Sequence, residues 1–224
     1  SADLIVDGNA HIVDQSAYSS QNRYAISATG GVKVTVNGGT IESKKNTAVY
    51  LYRSGSSGLQ EDHAKFKMTG GTIKGGEYGL KHTQLNEITL SGGTISGAAS
   101  KSDVYMANGG TGTSGTASFK VNGNFPFSSM QIESASVKNE IDFTKATVTE
   151  EKIQINLPWD GSDTESNAKL FKASISNYRD LLDHITLSGG KNPIFAVNNE
   201  KKISENPETT EIYVFSSPVW NTVC

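Results

Sequence analysis

The feature that most constrains this chain is a phrase that returns. Val34-Thr35-Val36-Asn37-Gly38-Gly39-Thr40-Ile41 comes back as Lys67-Met68-Thr69-Gly70-Gly71-Thr72-Ile73, and again as Thr89-Leu90-Ser91-Gly92-Gly93-Thr94-Ile95. A weaker copy is Lys120-Val121-Asn122-Gly123-Asn124-Phe125, and Thr186-Leu187-Ser188-Gly189-Gly190 echoes it later. The copies at Gly38, Gly70, Gly92 and Gly123 stand 32, 22 and 31 residues apart, and Gly189 follows Gly123 by 66, three times 22. A unit of about 22 residues, lengthened by about ten in two places, accounts for all of them. A fixed period of this size is the mark of a stacked repeat, in which no unit buries its apolar face alone.

Each unit reads as strand. Val32, Val34 and Val36 alternate with Lys33 and Thr35, as do Ala64, Phe66 and Met68 with Lys65 and Lys67. Ile88 and Leu90 alternate with Glu87 and Thr89, and Ala117, Phe119 and Val121 with Ser118 and Lys120. Period two with one apolar face predicts half-buried strands. A second strand precedes this one, at Ala25–Ala28, Ala48–Leu51, Gly79–His82 and Asp103–Met106. The Thr-Ile after each Gly-Gly predicts a third, with glycine supplying the positive φ of the corner. Three short strands per turn of about 22 residues predict an all-β fold, a right-handed parallel β-helix. Ile41, Ile73 and Ile95 would form one buried ladder, and Val34, Phe66, Ile88 and Phe119 another.

These Gly-Gly-Thr-Ile copies, each behind an alternating strand, resemble the right-handed parallel β-helices of the pectin-lyase-like kind, particularly those of bacterial surface proteins and autotransporter passengers. The resemblance covers about residues 24–128. It implies a secreted or surface-anchored domain, and it leaves adhesin, glycan-active enzyme and passive spacer all open, because the fold serves each.

The chain is expected to be one domain over 1–224: an N-terminal coil or cap at 1–22, regular coils over 23–157, and irregular coils over 158–224. The 22-residue register lays Ile141–Val148 over the Val34–Ile41 strand, and Asn177–Asp183 predicts one or two helical turns. Net charge is −3, so no nucleic-acid partner is implied. No apolar run of roughly 18 residues occurs, so no membrane insertion is expected. The one cysteine, Cys224, rules out an intramolecular disulfide and a cysteine-based zinc site. The histidines at 11, 63, 82 and 184 lack metal-ligand spacing. No cofactor motif is present: Gly110–Gly115 fits G-x-G-x-x-G, but a strand follows it where a helix N-terminus is needed.

Two glycine-rich inserts, at 54–62 and 108–115, fall between the same two strands of their coils, so they emerge on one side. Loops stacked on one side of a solenoid commonly mark its binding face. The strand leading into them has an outward row of Ser27, Tyr50, Lys81 and Tyr105, followed by Tyr52 and Arg53. Tyr50, Tyr52, Arg53, Lys81 and Tyr105 are therefore the candidate ligand-binding residues, and a host-surface protein or glycan the expected partner, since tyrosine offers an apolar face and a hydroxyl at small entropic cost. Ordinary aromatic stacking on an exposed sheet is the competing reading. His82 falls in an inward column with Ala28, Leu51 and Met106 and is expected to pack. Asp7 and Asp14 are the candidate catalytic carboxylates of the alternative, a glycan-active enzyme, which needs two such groups close together. Asp160, Asp163 and Glu165 read as a solvated turn before a calcium site. Lys33, Lys65, Lys67 and Lys120 form a mild basic strip that Glu87 interrupts.

Overall fold

The computed structural model describes residues 2–17, 23–52, 63–83, 86–107, 118–133, 140–158, 168–189, 193–197 and 208–216. It is a parallel β-helix. The first coil holds β1 (Asp3–Val6) and β2 (His11–Asp14). Three full coils follow: β3 (Ile26–Ala28), β4 (Lys33–Val36) and β5 (Thr40–Ser43); β6 (Val49–Leu51), β7 (Lys65–Met68) and β8 (Thr72–Gly75); β9 (Leu80–Thr83), β10 (Glu87–Leu90) and β11 (Thr94–Ser96). Corresponding strands pair in parallel and build three sheets. Sheet A takes β1, β4, β7 and β10; sheet B takes β2, β5, β8 and β11; sheet C takes β3, β6 and β9.

The expected ladders form in register. Ile12, Ile41, Ile73 and Ile95 stack on sheet B. Val34, Phe66, Ile88, Phe119 and Ile141 stack on sheet A, where Ile141 takes the rung the 22-residue register assigns it. Val34, Ile41, Ile73, Ile88 and Phe119 are completely buried. One hydrophobic core runs from Val6 to Val214.

The Gly-Gly corners work by two separate demands. Gly39, Gly71 and Gly93, the second residue of each pair, all have positive φ, between 74° and 89°. The corners also stack backbone on backbone: a Cβ on Gly71 would stand 2.7 Å from the Gly38 oxygen, and one on Gly70 2.6 Å from the Asn37 oxygen. Thr72 N–H donates to the Gly39 carbonyl at 2.9 Å, and Thr94 N–H to that of Gly71 at 3.0 Å. That coupling needs the close approach only glycine permits.

From residue 104 the coil changes. β12 (Val104–Ala107) and β13 (Ser118–Asn124) continue sheets C and A, but sheet B stops at β11. Pro126 supplies the carbonyl that Ile95 N–H would otherwise find on a next sheet B strand. Phenylalanines fill the space: Phe125, Phe127, Phe143 and Phe171 sit in a chain of ring contacts, with Phe125 4.9 Å from Phe143 and Phe143 5.0 Å from Phe171. β14 (Ser129–Ile132) and β15 (Glu140–Thr147) form the next coil, and a bulge after Asp142 shifts the pairing with β13. β16 (Ile153–Leu157) and β17 (Ala168–Ser174) carry sheets C and A onward.

Within 158–224 the described residues form the following elements. Helix α1 (Tyr178–His184) occupies the place in chain order that a sheet B strand holds elsewhere, and β18 (Ile185–Gly189) returns to sheet C. Asn177 precedes the helix without a side-chain cap bond. Its amide instead accepts from Ser174 N–H and Oγ–H and donates to the Ala146 carbonyl, tying the helix to the coil below. β19 (Pro193–Val197) and β20 (Thr209–Ser216) then join sheet A antiparallel, β20 against β17, ending the parallel stack.

Alanine at two glycines separates the two demands. Gly123 has φ +99° but its added Cβ would find no atom closer than 3.9 Å. We expect Gly123→Ala to lower unfolding free energy by about 1–2 kcal/mol, the cost of the left-handed backbone. Gly71→Ala should cost at least about 2 kcal/mol more, because it also forces the stacked corners apart. Urea midpoints at constant m-value would measure both.

Candidate functional site

The outward row of sheet C is real in register. Ser27, Tyr50 and Lys81 occupy successive rungs, followed by Tyr105, Gln131, Asn156 and Ser188. Rungs of neighbouring strands lie about 4.8 Å apart. Tyr52 joins the row by stacking on Tyr50, with centroids 5.4 Å apart. Arg53 and both inserts lie outside the described residues, although the strands that flank them, β6 with β7 and β12 with β13, stand in the same relation.

The rings use each other. Tyr24 lies 4.7 Å from Tyr50 on a tilt, and Tyr78 stacks on Tyr105 at 4.6 Å. Lys81 holds its ammonium between the two groups, 5.4 Å from the Tyr50 centroid and 5.3 Å from that of Tyr105. Lys101 sits over Tyr78 in the same way, at 5.6 Å. Much of the aromatic face area is therefore spent inside the cluster, through cation–π and ring contacts. Partial burial raises the phenol pKa of Tyr24, Tyr50, Tyr78 and Tyr105 above the usual value, and for Tyr105 a hydrogen bond with Glu133 adds to it. All four are neutral hydroxyl donors near neutral pH.

Sequence reasoning missed Tyr24 and Tyr78, yet a signal was there. Each stands two residues before the first inward residue of its strand, Ile26 or Leu80. Missed too were the polar staples of the corners. The Asp103 carboxylate accepts from Gly97 N–H at 2.9 Å, from Ser128 N–H and Oγ–H at 2.9 Å, and from Ser129 N–H at 3.0 Å. Buried Asn86 accepts from Ala64 N–H at 3.0 Å and donates to the carbonyls of Leu51 and Thr83.

Two concavities flank the tyrosine cluster on this face. One, of about 740 Å³, is lined by Asp14, Arg23, Tyr24, Ser27, Tyr50 and Tyr52. The other, of about 580 Å³, lies over the amide part of the row.

Asp7 and Asp14 fall at opposite ends of β2. Asp7 accepts from Gly8 N–H in the turn before it. Asp14 accepts from Ser16 N–H, Ser16 Oγ–H, Ser43 Oγ–H and Asn46 Nδ2–H. These donors, the Ser16 amide foremost, hold its carboxyl below the usual range. The four residues of β2 keep the pair roughly 10 Å or more apart along the backbone, without a shared partner. Within the lysine strip of sheet A, Lys65 pairs with Glu87 at 3.3 Å; farther along the sheet Lys172 pairs with Glu140. Among the described residues, no group of three His, Cys, Asp or Glu is placed to hold a metal ion. Asp160, Asp163 and Glu165 lie outside those residues. No helix among them is long and apolar enough to cross a membrane.

His82 packs in the column with Leu51 and Met106, fully buried, its ring 5.7 Å from Phe119 and nearly parallel to it. Burial pushes its pKa down to about 4 from 6.5. The unfolded chain thus binds a proton that the folded chain refuses. Stability is full above pH 6.5, falls as pH drops below it, and the loss is complete near pH 4. This histidine contributes about 3 kcal/mol to that loss. A His82→Leu protein should lose stability over this window by correspondingly less, measured as unfolding free energy at pH 7 and pH 4.

No family model matches the chain, and neither a curated protein nor a solved structure is significantly similar to it.

Proposed function

We propose that this β-helix is an extracellular bacterial binding domain, of the kind carried by surface proteins and autotransporter passengers, which recognises a host-surface protein or glycan along the outer face of sheet C. The observation that carries the reading is the Tyr50–Lys81–Tyr105 column, extended by Tyr24, Tyr52 and Tyr78. A cluster already packed against itself is ordered before a ligand arrives, so little side-chain freedom remains to be lost on binding. Tyrosine is among the residues that dominate recognition surfaces.

The enzyme reading finds no comparable support, because Asp7 and Asp14 act in separate local hydrogen-bond sets. The test is binding of the purified domain to intact mammalian cells and to a glycan array. Alanine at Tyr50, Tyr52 and Tyr105 together should reduce binding at least about a hundredfold, as loss of a hot-spot cluster does, with the circular-dichroism spectrum of the strands retained. Unchanged binding by the triple variant would sink this site.

A further inference from the structure

We infer that the concavity beside the tyrosine cluster is a second subsite on the same face, built to hold successive sugars of a linear pyranose chain running along the helix axis. The inference rests on the reading of sheet C as the binding face.

The subsite follows the tyrosines on the same column. Tyr105 is succeeded by Gln131, then Asn156, then Ser188, one per coil, with Gln154 beside them. All four line the concavity of about 580 Å³. Gln154 Nε2–H donates to Ser188 Oγ at 3.4 Å, which leaves most of this amide's capacity in use only by solvent. Among the described residues, the Gln131 and Asn156 amides make no hydrogen bond. Each amide offers both a donor and an acceptor, which is the pattern a pair of vicinal hydroxyls completes.

The polar lining argues for a ligand rich in hydroxyls. The carboxylate lining the floor is Asp103, and its oxygens already accept four hydrogen bonds from Gly97, Ser128 and Ser129. It fixes the wall and has little capacity left for a ligand. Amides and hydroxyls make up most of the remaining polar lining, together with the ammonium groups of Lys101 and Lys152.

The spacing argues for a sugar chain over a peptide. Consecutive rungs lie about 4.8 Å apart, while an extended peptide advances about 3.3 Å per residue and repeats a side about every 6.6 Å. A peptide laid along the axis drifts out of phase with the amides after one coil. A β-1,4-linked pyranose chain advances by about one coil spacing per sugar and, with alternate sugars flipped, presents the same side about every second coil, so it stays in phase. From Tyr50 to Asn156 is four coil steps, about 19 Å. A ligand that uses both subsites must therefore be several sugars long.

The probes are cello- and chito-oligosaccharides of two and six units, titrated calorimetrically against the full chain. The wild-type protein should bind a six-unit chain at least about tenfold more tightly than the two-unit chain. Gln131→Ala with Asn156→Ala should remove that length advantage and leave the melting temperature unchanged. A length advantage that survives the double substitution overturns the subsite, as does its absence from the wild type. Cell binding lost in the tyrosine triple variant, with no oligosaccharide bound by the wild type, would overturn this inference and leave the proposed binding face standing. Failure of the wild type to bind cells or any glycan would overturn both.

Discussion

Everything in this molecule depends on one coil lying about 4.8 Å above the last along its whole contour, corners included. Strands meet that condition easily. Corners do not, since two turning backbones must approach as closely as two straight ones. At Gly38–Gly39, Gly70–Gly71 and Gly92–Gly93 the chain removes the Cβ atoms that would keep them apart. At the other corners it uses polar staples. Asp14, Asn86 and Asp103 each gather donors or carbonyls from neighbouring segments, replacing bonds that an irregular corner cannot make to itself. Apolar ladders supply the burial, and they stay in line because the corners hold the register.

How much of this was legible in the sequence follows from where the repeat is strict. The Gly-Gly-Thr-Ile copies placed the isoleucine and valine-phenylalanine ladders rung by rung, and the period carried Ile141 to its correct rung after the glycines had gone. Beyond β11 the third sheet ends, and nothing in a local pattern announced it. Phe125, Phe127 and Phe143 read as ordinary apolar residues until the missing strand is seen to leave a space of their size. Helix α1 was legible as helical turns. Its place in the coil was not, because Asn177 serves contacts 31 residues distant and not its own helix end.

The same holds for the candidate site. The Tyr50, Lys81 and Tyr105 column was readable because strand periodicity alone decides which side chains point out. What those side chains do to each other was not. Pairing of Tyr78 with Tyr105, and the seat of Lys81 between two rings, depend on inter-coil contacts that single-strand reasoning does not contain. A row that reads as open aromatic surface is a self-packed ridge, with a concavity on either side of it. On the proposed binding face, selectivity would then belong to hydroxyls, amides and ammonium groups, with ring stacking setting their positions.

The parallel ladders have a mechanical consequence. Hydrogen bonds between coils point along the solenoid axis, and sheet after sheet repeats the same direction. A pull along the axis loads them in tension and opens the stack one coil at a time, with modest resistance at each step. A pull across the axis, directed along the strands, loads a whole ladder in shear and must break its bonds together. The molecule is thus compliant in one direction and stiff in the other. A partner seated on the outer face of sheet C and dragged along the strand direction would be resisted by the stiff axis of its host.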